Sequence, residues 1–134
     1  MVVGVGARAG VGADEVLGLV RAVLDEAGAG PDGVVALATV EAKGREPGLV
    51  AAAGALGVPL VSYAAELLAA VPVPHPSARV GAVAGTASVA EAAALAASRG
   101  VLVVPKRVWR GRLTCAVAAV GPDCPLNLSL VTSR

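Results

Sequence analysis

The sequence predicts an α/β fold: a single three-layer α/β/α domain on a mostly parallel open sheet, finished by a C-terminal antiparallel hairpin. Three observations predict it. Val-rich segments alternate with longer Ala/Leu-rich ones, and the breaks between them are Gly and Pro, which is the pattern of a βαβα chain. The chain has 134 residues, 56% hydrophobic and 16% charged, with a formal net charge of +1; this supports one core and excludes a disordered tail or a polyelectrolyte arm. Ala and Val fill 30 and 25 positions, Phe and Ile are absent, and Tyr63 and Trp109 are the only aromatics. Small side chains bury little area each, so the layers must approach closely.

The first strand is expected over residues 2–7, followed by a glycine-rich loop. A helix over 13–27 then places Val16, Val20, Val23, Leu24 and Ala27 on one face, with Asp14 and Glu15 in the first turn, where the helix dipole favours negative charge. The second strand is expected over 34–39. Pro47 opens the next helix, which ends near Gly57, and residues 59–62 form the third strand, leading to a short helix over 64–70. The VPVPHPS segment, 71–77, is too proline-dense for either regular element and reads as a crossover. A strand over 78–83 follows. Ser88-x-x-Glu91 has capping-box spacing and would open a helix to Arg99 that Gly100 terminates. Strands over 101–108 and 112–120 would form a hairpin turning at Arg110 and Gly111. Residues 1–120 are expected to be the domain. Residues 121–134 form a tail in which Leu126, Leu128 and Leu130 alternate like an edge strand.

Charge balance argues against a nucleic-acid partner, because no basic stripe with interleaved aromatics is present. Residues 47–65 are uncharged over a length that could span a membrane, but Gly48, Gly54, Gly57 and Pro59 interrupt them, so a buried helix, a turn and a buried strand are expected instead. No secretory signal is expected at the amino terminus, MVVGVGARAG. Cys115 and Cys124 have no Cys or His near them in sequence, which suits reduced thiols in a cytoplasmic protein. No metal site or cofactor is expected, and the lone His75 completes neither a metal site nor a triad.

In open parallel sheets ligands bind beyond the carboxyl ends of the strands, where loops and helix starts converge. Three such places stand out: residues 4–12, 39–48 and 85–88. In the first, Gly4, Gly6 and Ala9 fit G-x-G-x-x-A, but only three residues precede Gly4, too few for a dinucleotide-binding strand. Glycine there lets something approach the backbone, and Arg8 offers a donor fork to a carboxylate or phosphate; a tight turn with a solvated Arg is the alternative. The second loop, TVEAKGREPGL, gathers Thr39, Glu41, Lys43, Arg45 and Glu46. Glu46 either caps the following helix or is an acid/base candidate, while Lys43 beside these carboxylates would serve as an anion anchor or, if desolvated, as acid or base. Thr86 and Ser88 border the third place, and Glu91 is either a capping-box residue or a further acid/base candidate. Lys106, Arg107, Arg110 and Arg112 bracket the hairpin tip beside Trp109, as a solvated end or as a clamp for an acidic ligand with an aromatic face.

Four segments in series, GVGARAG, TVEAKGREPGL, VPVPHPSARVGAVAGTASVAEAAAL and VVPKRVWRGRLTCAVA, resemble the cobalamin-biosynthesis family of CobE and the C-terminal domain of CbiG, over residues 2 to about 120. The resemblance implies an α/β domain acting on late precorrin intermediates. In two-domain relatives the activity it implies is hydrolysis of a cobalt-precorrin-5A lactone with release of acetaldehyde. Without a companion domain, this chain is similar to the stand-alone type. Carried over by position, the family pattern points to Gly4, Gly6, Arg8, Thr39, Lys43, Glu46, Ser88, Glu91 and Lys106. Gly12 and Ala64 stand where the pattern has a Ser helix cap, and His75 where it has Asn.

Three functions are thereby open. The first is a binder of a polycarboxylate precorrin or corrinoid, contacted by Gly4, Gly6, Arg8, Thr39, Lys43, Thr86, Ser88 and Lys106. The second is a lactone hydrolase using Lys43, Glu46 or Glu91. The third is a nucleotide- or phosphate-binding module on the first loop. A partnership with other cobalamin-biosynthesis enzymes is a further expectation; nucleic acid and membrane are not expected partners.

Overall fold

The computed structural model describes residues 1–71 and 86–122. Among the described residues five strands form one sheet: β1 (Val2–Ala7), β2 (Ala36–Val40), β3 (Leu60–Tyr63), β4 (Val101–Trp109) and β5 (Leu113–Ala119), in the order β3-β2-β1-β5-β4. β1 pairs in parallel with β2, and β2 with β3, whereas β5 runs antiparallel to both β1 and β4. Four of the five strands therefore point the same way, with β5 reversed between β1 and β4. The expected mostly parallel sheet with a terminal hairpin is the observed one. The hairpin adds to the sheet on the β1 side through its second strand, so that among the described residues β5 lies against β1 and β4 forms the edge.

Two helices, α1 (Ala13–Glu26) and α2 (Pro47–Leu56), cover one face. Val3, Val5, Leu37, Cys115 and Val117 of the sheet pack there against Val16, Val20, Val23, Leu24, Leu49 and Ala52. α3 (Ala65–Ala69) and α4 (Thr86–Ser98) cover the other, where Val2 and Ala38 meet Leu68, Ala92, Ala93 and Ala97. β1 is buried along its whole length, as expected of a strand enclosed on both faces. The second layer is thin for a specific reason. A Cβ on Gly4 would lie 1.9 Å from the carbonyl oxygen of Ala90 and 2.8 Å from the amide nitrogen of Ala94, so the backbone of α4 rests directly on β1. The same packing orients α4: Ala97 clusters with Val2 and Ala90 lies over Gly4, so its first turn, at Thr86, lies toward the carboxyl ends of β1 and β2.

Several expected boundaries hold. The uncharged stretch 47–65 resolves into α2, a left-handed Gly57 at φ 73°, β3 and the start of α3, but helix and strand are not the buried elements expected: α2 buries only Gly48, Leu49, Ala52 and Ala53, and no residue of β3, outermost of the described strands, is buried. No helix among the described residues is long and apolar enough to cross a membrane. The hairpin turns at Arg110 and Gly111, both with positive φ (53° and 67°), the backbone that matches a twisted two-residue turn. Gly12 and Ala64 occupy the N-cap positions of α1 and α3 without a capping side chain.

Two expectations need correction. Ser88 is not a helix cap, because α4 already begins at Thr86, and Glu91 is its sixth residue rather than its third. Nor does Gly100 supply the left-handed residue that ends α4. Arg99 adopts φ 52°, and a Cβ on Gly100 would lie 1.9 Å from the carbonyl oxygen of Ala119, so this glycine serves close backbone packing. The expected crossover at 71–77, apart from Val71, the strand at 78–83, His75, Cys124 and the leucine-alternating tail lie outside the described residues.

Candidate functional site

The first two loops are joined by one carboxylate. Glu46 stands at the N-cap of α2, yet its side chain makes no cap hydrogen bond. Instead its Oε2 accepts the amide hydrogen of Gly10 at 2.9 Å. Gly10 holds φ +86°, a conformation that turns the amide outward and disfavours other residues. Lys43, at the end of a short turn over Glu41–Lys43, lies 3.9 Å from the other carboxylate oxygen of Glu46. Gly48 in the first turn of α2 completes the junction, since a Cβ there would meet the carbonyl oxygen of Val11 at 2.1 Å. Arg8, Lys43 and Glu46 thus belong to one tied pair of loops at the carboxyl ends of β1 and β2. Arg8 is exposed, and its amide donates to the carbonyl of Arg112 at 3.0 Å.

Thr39 is wholly buried, and its hydroxyl donates to the carbonyl of Val5 at 2.7 Å. It closes the β1–β2 seam just past the last paired residues, Gly4 and Ala38, and a ligand contact through this hydroxyl is not what the geometry offers. Gly4 is likewise closed: the face left open by its missing side chain is filled by α4. Gly6 is buried in β1 opposite Thr114. Thr86 opens α4 and Ser88 follows two residues later in the same helix.

Lys106 is not at a strand end but inside β4, at an irregularity. The β4–β5 register passes from Val104 opposite Val117 to Arg107 opposite Cys115, so Pro105 and Lys106 together face Ala116. That is a β-bulge, which frees one amide from the ladder. The amide of Lys106 donates to Oε2 of Glu91 at 2.9 Å. Glu91 is fully buried on α4, where an ionised carboxylate is costly unless hydrogen-bonded.

The basic hairpin is divided rather than gathered. Arg107 turns to α1, with Nε 3.0 Å from both carboxylate oxygens of Glu26 and Nη2 2.8 Å from one. These hydrogen bonds lower the Glu26 pKa and raise that of Arg107. Arg112 pairs with Glu15 at 3.6 Å, and Arg110 stacks over Trp109 at 4.6 Å from the ring centroid. Trp109 itself borders a shallow depression of about 440 Å³ with Asp14, Glu15, Gly18, Leu19 and Ala22. Its acidic rim has the wrong sign for a carboxylate ligand. The clamp formed by four cations and an aromatic face is therefore not the observed arrangement. Pro105 and Lys106 share the position opposite Ala116, which pairs with Gly4 on the α4 side, so Lys106 lies on the face opposite Arg107, whose partner Cys115 belongs to the α1 side.

Sequence reasoning missed the Glu46–Gly10 bond and the part played by Glu15. Glu15 accepts the amide of Gly12 at 2.8 Å, compensating for the absent capping side chain. Its position three residues after the N-cap was the available signal. Nothing local signals that Glu46 reaches a glycine 36 residues earlier.

Known proteins agree with this architecture. Residues 1–118 match the family described as Cobalamin synthesis G C-terminus. Protein CobE from Sinorhizobium sp is 33% identical over 121 residues, covering 88% of this chain and 79% of that protein. The crystal structure of CobE, a protein from the cobalamin (vitamin B12) biosynthetic pathway, is 34% identical with a TM-score of 0.73, over 86% of this chain and 89% of that one. The cobalamin biosynthesis protein chiG from Agrobacterium tumefaciens str. C58 is 35% identical with a TM-score of 0.62, over 90% and 98%. The chain belongs to the Cobalamin synthesis G C-terminus family. It is a cobalamin biosynthesis protein of the CobE/CbiG type.

Proposed function

We propose that this chain binds a polycarboxylate precorrin or corrinoid intermediate at the carboxyl-end rim and holds or hands it over without chemistry of its own. Such a ligand is a broad macrocycle fringed with carboxylates. Arg8, Lys43, Lys106 and the first turn of α4 supply the donors that carboxylates require. The observation that carries the reading is the use made of the two acid candidates. Glu46 accepts the Gly10 amide and Glu91 accepts the Lys106 amide, so both hold backbone in place rather than standing poised for proton transfer.

The lactone-hydrolase reading requires one of these carboxylates to exchange a proton with the substrate, and their present partners do not favour it. The nucleotide reading places the tight turn at Gly4 and a pyrophosphate against Gly6, whereas both glycines lie buried within β1 and Gly6 is paired opposite Thr114.

Titration of the purified chain with hydrogenobyrinic acid, followed by absorbance or calorimetry, is expected to give a Kd at or below roughly 10 μM, near −7 kcal/mol. Absence of binding over that range overturns the reading. Acetaldehyde release from the lactone substrate by this chain alone overturns its non-catalytic part.

A further inference from the structure

We propose that Glu91 is a positioning residue that fixes the Pro105–Lys106 bulge and thereby aims Lys106 at the ligand; the inference rests on the corrinoid-binding reading above. Among the described residues β4 is an edge strand, bonded only to β5. At an edge, a bulge is free to slip by one residue, and a slip of one residue sends each side chain to the opposite face. A slip here would exchange Lys106, on the α4 side, for a residue of the α1 side. Two features oppose it. Pro105 has no amide hydrogen to offer an alternative ladder. The amide of Lys106 is held instead by a carboxylate from the layer above, at 2.9 Å, with Glu91 fully buried. The closeness of α4 to the sheet brings that carboxylate within reach, and the Gly4 contact sets this closeness. Glu91 thus acts on the ligand through a main-chain atom of another residue.

Two conservative variants separate reach from charge. Glu91→Gln keeps the side-chain length and an accepting oxygen but removes the charge. Glu91→Asp keeps the charge but withdraws the oxygens by one methylene. Positioning predicts that Glu91→Gln retains corrinoid affinity to within roughly threefold, whereas Glu91→Asp loses about tenfold or more, matching Lys106→Ala. Combining Glu91→Asp with Lys106→Ala should add no further loss, because both remove the same contact. Hydrogen exchange at the Lys106 amide should be slow in the wild type and Glu91→Gln and fast in Glu91→Asp.

Loss of affinity in Glu91→Gln with the amide still protected overturns the proposal in favour of a direct role for the charge. Lower thermal stability in Glu91→Asp with unchanged Kd, or additive losses in the double variant, overturns it in favour of a merely structural carboxylate. If the wild type binds no corrinoid, the binding reading fails; the exchange rates of the three proteins still decide whether Glu91 holds the bulge.

Discussion

The two faces of the sheet are built on different principles. On the α1/α2 face, large aliphatic side chains fill a thick layer, and the charges at its margin pair with each other in solvent: Arg107 with Glu26, Arg112 with Glu15. On the α4 face the filler is alanine and backbone, and the one charged side chain among the buried residues of the described chain, Glu91, is enclosed there. The thick face can accommodate an added group because side chains adjust, although removing one leaves a cavity. The thin face cannot, since backbone meets backbone. In this molecule the thin face also carries the carboxylate of Glu91 that holds the amide of Lys106.

The comparison can be broken most directly by emptying the thick face and filling the thin one. Leu24→Ala, in the thick layer, should destabilise by about 3 to 4 kcal/mol through lost burial and a cavity. Gly4→Ala should cost about 3 kcal/mol although it adds a single methyl, because α4 must move off the strand. Denaturant unfolding checks both, and a cost under ~1 kcal/mol for Gly4→Ala would show that the α4 backbone yields freely. Gly18→Ala tests the opposite case on α1. An added Cβ there meets nothing within 4 Å, so better helix propensity should stabilise by about 1 kcal/mol.

The smallest effect concerns the exposed Glu26–Arg107 pair. Hydrogen bonds from Arg107 hold the Glu26 carboxyl below the ordinary carboxylate range. The pair therefore contributes above the unfolded carboxylate's pKa and loses its contribution as pH falls through the lowered folded value. Thermal melts of the wild type and Glu26→Gln should differ slightly at neutral pH, less in high salt, and not at all in acid. A difference that persists unchanged into acid would place its origin elsewhere than in the charge. Cys115, by contrast, is a free thiol whose burial pushes its pKa up, so it is inert chemistry within the thick layer.

Much of the fold was legible because its signals are local. The apolar spacing of Val16, Val20, Val23 and Leu24 marked the buried stripe of α1, Pro47 and Gly57 bounded α2, and Arg110–Gly111 turned the hairpin. The site was legible only as a region. Arg8, Lys43 and Glu46 lie on two loops that the structure ties together, whereas Thr39, Gly4 and Glu91, which the sequence offers as ligand or acid/base groups, each meet a neighbour distant in sequence. The Ser88-x-x-Glu91 spacing misled because a capping box and a mid-helix glutamate look alike until the helix start is known.

Sequence alone determined the order and kind of the elements, since periodicity, caps and turn residues act within a few positions along the chain. Tertiary structure decided that β5 enters between β1 and β4, that α4 lies on Gly4, and that two glutamates hold the amides of Gly10 and Lys106. Those outcomes depend on which backbone atoms meet once sheet register and layer separation are set, and no local pattern in the chain specifies that distance.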